Sequence, residues 1–395
     1  MDANRSAITS ARPKLEVDGQ ARPELDSGLL RLLVSDHTDG LATCEAEFGN
    51  WGANGQGQLG FLWFQRDVLD FGKRLAIKLG DDTLFEGKVT AIEARFPALT
   101  PPTLVVRVDD PLQDLRMTRR TRCFERVSDA DVLRQIANDH GLQTDINLSG
   151  PTWPLLVQAN ESDLAFLRRR MLVADADLVV ADGKLSAQPR PNRPRPAMTL
   201  VHGGTLRRFS VAADLAHQRT SLHCTGWDVA NKQAVSEEAT ASSLGNEASA
   251  GDSGPQILQQ ALGARHDTVS HRFPSDAASA RSEAESHLRA LARRFVRGHG
   301  ETDTDVRLRS GASVQLDGLG PLFSGAYGLS EVLHRFDDTH GLRTEFTVER
   351  ACNNEYPFWE CCNVISPLGG HLVANKIVHD ANHKSLNRCV SRWSD

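Results

Sequence analysis

The apolar residues of this chain fall in short runs that alternate with polar ones, which restricts most of it to half-buried β-strands. Ala42, Cys44, Ala46 and Phe48 alternate with Thr43, Glu45 and Glu47, and Leu75, Ile77 and Leu79 repeat the pattern. Leu29 to Ser35 reads as a more deeply buried strand; Leu84 to Ala94 and Leu104 to Val108 follow, separated by Gly, Asp and Pro. This spacing is typical of an antiparallel barrel or sandwich, and predicts a first, mostly β domain over residues 25–118. The longest apolar runs fall far short of the ~20 residues of a membrane-spanning helix. The polar start, MDANRSAITSARPKLEVDG, lacks the apolar stretch of a secretory signal, so folding in the cytoplasm with seven reduced cysteines is expected.

Helical periodicity interrupts the strands once residues 119–197 begin. Ser128 is placed to cap a helix from Asp129 to His140, with Val132, Leu133, Ile136 and Ala137 on one face and Gly141 as its stop. A second helix is predicted behind Asn160 as cap, with Asp163 in the reciprocal capping position and Leu164, Leu167, Met171 and Ala174 as its buried stripe. Asp182-Gly183 predicts a tight hairpin. These elements make an α/β insert, after which residues 198–230 are expected to complete the first barrel. Residues 1–24 and 231–256 have little to bury and read as a flexible arm and a mobile linker. A long helix is predicted from Asp276 to Arg297, capped by Ser275 and stopped by Gly298, with Arg289, Arg293, Arg294 and Arg297 at its end. With the strand-like runs that follow it, including Val306 to Leu308, residues 257–350 are expected to form a second β-domain, and 351–395 a tail of unknown structure. The expected class is mainly β with an α/β insert, and 395 residues suit two or three domains.

Several residue groups suggest chemistry when read alone. Gly251-Asp252-Ser253-Gly254-Pro255 resembles a serine-protease nucleophile loop and Leu222-His223-Cys224 its histidine motif, but the chain between them is too short to build such a site. Cys361, Cys362, His371, His379, His383 and Cys389 could supply zinc ligands, although no paired C-x-x-C spacing is present. Arginines cluster at 116, 119, 120 and 122, at 168–170, and at 190, 193 and 195. A net charge of −6, a pI near 6.2 and the lack of interleaved aromatic residues argue against nucleic acid and favour solvated faces or docking to acidic neighbours. Asp109-Asp110 and Asp337-Asp338 sit at strand ends, where turn residues are common. No phosphate-binding loop or dinucleotide fingerprint is present.

Six strings, in order, resemble the phage late control gene D family, which includes contractile-tail baseplate hubs and the base of VgrG-like spike proteins. They are Phe85-Glu86-Gly87-Lys88-Val89; Val108 to Leu115 with Arg119 to Phe124; Asn160-Glu161-Ser162-Asp163-Leu164-Ala165-Phe166-Leu167; Gly226-Trp227-Asp228; Phe323 to Tyr327 through His334; and Thr344 to Arg350. The resemblance implies two similar small β-barrels per chain and a trimeric, pseudo-hexameric hub that adapts a hexameric tube to a trimeric spike. The implied partners are two further copies, an inner tube protein, a spike or tip protein and other baseplate proteins. No cofactor, enzymatic activity, nucleic acid or stable membrane insertion is implied. Longer family members continue into a needle, which this chain is expected to lack. Two alternatives stay open: a tail-associated hydrolase, and a hub whose C-terminal tail binds zinc to recruit a tip or cargo protein.

Overall fold

In the strand Thr43–Gly49 the alternation read from the sequence becomes geometry: Cys44, Ala46 and Phe48 are buried while Thr43, Glu45 and Glu47 face the other way. The computed structural model describes residues 12–353 apart from 39–40, 54–56, 182–183, 194, 230, 271–273 and 275. They belong to one compact unit and are mainly β. Thirteen strands make a single sheet. Its main path runs Leu206–Ala213, Val296–Asp303, Gly341–Arg350, Gly325–Asp337, Leu29–His37, Thr43–Gly49, Thr103–Asp109, Asp82–Arg95, Arg74–Leu79, Lys14–Val17, Gln20–Ala21, with Thr199–Val201 and Ser313–Asp317 branching from Gly325–Asp337.

Leu29–His37 is the seam of this sheet. It pairs antiparallel with Thr43–Gly49 on one side and with Gly325–Asp337, from the far end of the chain, on the other. Each half keeps its own apolar core. Leu15, Leu29, Phe48, Ile77 and Val106 fill the first, and Val296, Val314, Tyr327, Leu329 and Phe346 the second. Gly87 is glycine for a steric reason, since a methyl group there would collide with the Asp109 carbonyl oxygen across the sheet. Gly226 is the same case against the Pro274 carbonyl.

The helices among the described residues are α1 (Pro23–Gly28), α2 (Leu112–Arg116), α3 (Asp129–Asp139), α4 (Asp163–Ala174), α5 (Gly254–Leu262), α6 (Ala277–Arg293) and α7 (Gly320–Phe323). In the insert, α3 and α4 share a core with the ribbon Arg119–Val127/Trp153–Ser162 and with a sheet of Gln143–Ile146, Lys184–Pro189 and Ala176–Ala181. Phe124 and Phe166 stack in that core with centroids 5.5 Å apart. Ser128 caps α3 as expected, in a reciprocal pair with Asp131. The cap of α4 is Ser162, whose hydroxyl accepts from the Ala165 N–H, and not Asn160, which lies within the preceding strand at φ 49°. Asp163 is thereby free to turn inward.

Other elements depart from the sequence reading. Part of the expected arm is ordered, because Leu15 and Val17 alternate into the core from a strand on Arg74–Leu79, and Leu25 of α1 joins them; residues 1–11 lie outside the described residues. The strands of 198–230 do not complete the first half. Thr199–Val201 and Leu206–Ala213 pair with the second, and Ser221–Asp228 joins Gln233–Thr240 and His266–Val269 in a separate sheet under α6. Residues 231–256 are not a structureless linker: Val235, Ala239 and Leu244 are enough to bury a strand and a short 3₁₀ segment. Helix α6 is capped by Asp276 and ends near Arg294, and Gly298 lies inside the next strand. Val306 and Arg307, in a run with strand-like composition, form a turn.

Ion pairs fasten the insert to the second half. Asp175, in the left-handed C-cap of α4, accepts two bonds from Arg293 of α6 at 2.5 and 2.6 Å, and Glu247 takes the same guanidinium at 2.6 and 2.9 Å. Asp177 holds Arg190 (2.7 Å) and Arg193 (3.0 Å), and Arg193 also reaches Glu349 of the second half at 3.6 Å. Burial opposes the charge on Asp177, but Arg193 and Arg190 outweigh it and hold its pKa below the usual carboxylate range. Replacing Arg293 by Met would leave buried Asp175 with only Arg289, 3.8 Å away, and half-buried Glu247 without its cation. Urea unfolding should show a loss of about 3–5 kcal/mol; a loss too small to measure would mean that the clamp contributes nothing to the mounting of the insert.

Candidate assembly surfaces

The groups flagged for chemistry in the sequence are placed as structural parts. Ser253 is fully buried at the start of α5, where its hydroxyl and its backbone N–H both donate to Gln256 Oε1 (2.7 and 2.9 Å). It is a helix cap held inside the protein, not an exposed nucleophile in a loop. His223 faces Glu238 at 3.2 Å and Cys224 is buried. A serine–histidine contact that the sequence did not announce, Ser221 Oγ to His266 Nδ1 at 2.7 Å, results from the parallel pairing of their strands; the neighbouring carboxylate, Asp267, turns instead to Arg219 and the Thr268 N–H. The candidate ligands Cys361, Cys362, His371, His379, His383 and Cys389 lie outside the described residues. Among the described residues no group of three or more His, Cys, Asp or Glu side chains is arranged to hold a metal ion.

The arginine clusters, expected as solvated faces, are divided: Arg116, Arg119 and Arg195 are exposed, whereas Arg122, Arg170, Arg190 and Arg193 turn inward. Arg122 reaches Asp163 (2.8 Å), Asp139 (2.7 Å) and Gln158 (2.8 Å), and Arg120 lies 3.4 Å from Asp163. Burial opposes the charge of Asp163, yet hydrogen bonds from His140 and Gln158 and the charges of Arg122 and Arg120 keep its pKa low. Arg170 is buried against Asp129 at 2.6 Å and lies 4.3 Å above the Trp153 ring. With Arg190 and Arg193 spent on Asp177, much of the local positive charge in these clusters is consumed inside the fold. The paired carboxylates act as turn and cap residues. Asp110 accepts from the Ala42 and Leu112 N–H groups (2.9 and 2.8 Å), and burial raises its pKa to about 6; Asp337 accepts from the Thr339 and His340 N–H groups at 2.8 Å each.

Two surfaces are organised on a larger scale. The first is the polar face of the large sheet. Cross-strand pairing sets Asp303, Arg343, Arg335, Leu33, Glu45 and Arg107 side by side over six strands and both halves. Neighbouring rows hold the pairs Arg208–Glu301 (2.6 Å), His37–Glu331 (3.6 Å) and Arg335–Glu345 (3.2 Å). Grooves of about 810 and 280 Å³ open on this face, one lined by Arg31, Glu45, Glu47 and Arg335 and the other by Arg208, His299, Glu331 and Glu345. Arg335 and Arg343 face each other across two strands, and each is met by an acid on a neighbouring position, Glu345 at 3.2 Å and Asp303 at 3.9 Å.

The second surface is an aromatic knob at one end of the first half. Phe61 and Phe64 stack at 4.7 Å, Trp51 meets Phe61 edge-on at 5.3 Å, and Phe96, from the tip of the Asp82–Arg95/Thr103–Asp109 hairpin, lies 6.1 Å from both phenylalanines. Buried Asn50 fixes the arrangement. Its Oδ1 accepts from the Leu62 and Trp63 N–H groups (3.0 and 2.9 Å), its own N–H donates to Pro102 O (2.9 Å), and Trp63 Nε1 donates to Gly49 O (2.9 Å). The two loops are therefore tied together, with their rings held outward. This knob was missed in the sequence because strand alternation does not signal it; the string Phe61-Leu62-Trp63-Phe64, which puts three aromatic rings on one short loop, was the available clue.

The fold is similar to that of several solved tail proteins. Solved structures with the same fold include the 43 kDa tail protein of prophage MuSo2 from Shewanella oneidensis, with a TM-score of 0.63, 12% identity, and 86% of this chain and 98% of that chain covered. A tail protein from Neisseria meningitidis MC58 gives 0.64, 11%, 86% and 97%. An E. coli type VI secretion component, described as similar to the T4 bacteriophage tail proteins gp27 and gp5, gives 0.52, 10%, 83% and 76%. At these identities the likeness is one of fold. Residues 60–338, well over half the sequence, match the model of the Alg8 N-terminal domain, and the chain belongs to that family. Among curated proteins nothing matches.

One titratable group tests the packing behind the polar face. His334 is buried, its Nδ1 lies 2.8 Å from Thr344 Oγ1, and burial, assisted by the charge of Arg309, lowers its pKa to about 3. A histidine lowered in this way favours folding above its unfolded pKa and loses that contribution as pH falls toward the folded value. Between pH 7 and pH 5 His334 should account for about 2 kcal/mol of lost stability. His334→Gln should remove that part of the pH dependence in denaturant unfolding; an unchanged slope would show that His334 is not held neutral.

Proposed function

We propose that the chain is a structural, non-enzymatic baseplate hub of a phage tail or contractile injection machine, acting as a homotrimer that adapts a hexameric tube to a trimeric spike. The observation that carries this reading is the ladder between Leu29–His37 and Gly325–Asp337, which joins two β units of one chain into a continuous sheet with one polar face. Three chains built this way offer six β units around a threefold axis, the number needed to meet a sixfold tube. The tail-protein fold and the late control gene D strings favour the same reading, as does the use of Ser253 and the arginines for structure.

The physical task of such a part is to carry axial load without deforming. Strand-to-strand hydrogen bonding across both halves gives a stiff path, and the clamp at Asp175 and Asp177 keeps the insert in step with it. The paired charges of the polar face suit a wall that faces the ring axis, because they are satisfied within the sheet and hold no passing chain tightly. Assembly in the cytoplasm before incorporation into the particle completes the proposal.

Co-sedimentation tests it. The purified chain should run at three times its 43.3 kDa mass and should cosediment with the assembled tube protein of its own machine at three copies per tube end. A chain that stays monomeric both alone and beside that tube would remove the proposal.

A further inference from the structure

The aromatic knob is a feature of the described surface that the hub reading leaves unused. Trp51 is 48% exposed, Leu59 74%, Phe61 39%, Phe64 37%, Phe96 64% and Leu99 97%. With about 150–250 Å² for a fully exposed side chain of this size, these fractions leave on the order of 700 Å² of apolar surface in one place. A stable complex takes roughly 800 Å² from each partner, and the largest apolar patch of an ordinary monomer is roughly 300–600 Å². The area suits a permanent contact.

Charge indicates what covers it. Residues 50–65 and 96–106, the two loops that build the knob, contain no ionisable side chain, whereas the whole chain carries a net charge of −6. Two copies of this chain repel each other, so their best meeting place is a surface with no charge to bring together or to desolvate. A cationic partner would gain from the acidic remainder of the protein and would have no use for this patch in particular. The rings are also held outward by the Asn50 bonds before any partner arrives, so little ordering entropy is lost on contact.

We infer that the knob is the copy-to-copy contact, seated on an unlike patch of the neighbouring copy. This rests on the hub reading, because a closed threefold ring uses contacts between unlike patches. Phe96 and Leu99 are the hot spots, being the most exposed members at the hairpin tip.

The test is sedimentation velocity of the full chain and of two single variants, Phe96→Asp and Leu99→Asp, with Leu262→Asp, at an exposed leucine of α5, as control. Leu99 touches so little of its own chain that its variant should keep the wild-type melting temperature. The expected result is a wild-type and control mass of three chains, and at least tenfold weaker association for both knob variants. Knob variants that stay fully assembled would overturn the inference and leave the hub reading intact. A monomeric wild type that binds neutral phosphatidylcholine vesicles through Phe96 would overturn it in favour of a lipid surface, and a monomer that also fails to join a tube would overturn both readings.

Discussion

Everything else in the fold is arranged around one backbone ladder, the seven residue pairs from Glu331↔His37 to Asp337↔Arg31. Without it, the two β units would be separate bodies joined by an insert and a helix. With it, one sheet passes through both, and the side-chain alternation of each strand is locked to that of its neighbours. That is why a single polar face crosses the molecule while the apolar sides close over two distinct cores. A slip of one residue at the seam would turn Leu32, Val34 and Phe336 outward together, so the register is held by the first core, which Phe336 joins from the far end of the chain.

Arginine provides the second layer of specification. Arg293, Arg193, Arg170 and Arg122 each enter the interior against a carboxylate from a different element; Arg293–Asp175 and Arg170–Asp129 join segments that no strand ladder connects, and the other two reinforce the ends of a ladder. Such pairs add little net stability compared with apolar packing, but each is expensive to break on one side, which favours a single orientation of the insert. Asp175 and Asp177 occupy one short stretch after α4, so two of these joints are set by the same turn of chain.

The strands were legible because a period of two is a local signal: Cys44, Ala46 and Phe48, or Leu342, Thr344 and Phe346, announce their face without help from the rest of the chain. Helix α3 was equally plain, since its cap and apolar stripe are contiguous. The partner of Leu29–His37 was not legible, because no local pattern records which distant strand completes its hydrogen bonding. Leu15, Val17 and Val235 were missed for a related reason: two or three apolar residues can order a segment when a core is already waiting for them. The arginine clusters looked like surface because their aspartates lie far away in sequence. Of the candidate surfaces, the knob was present in the text as Phe61-Leu62-Trp63-Phe64, but its exposure depends on Asn50, whose role only the folded loops reveal.

Electron cryomicroscopy of the purified assembly tests the account most directly. The account predicts three chains about one axis, six β units in a ring, and the row from Asp303 to Arg107 of every chain turned toward the centre. A particle with another copy number, or one with that row facing outward, would contradict it.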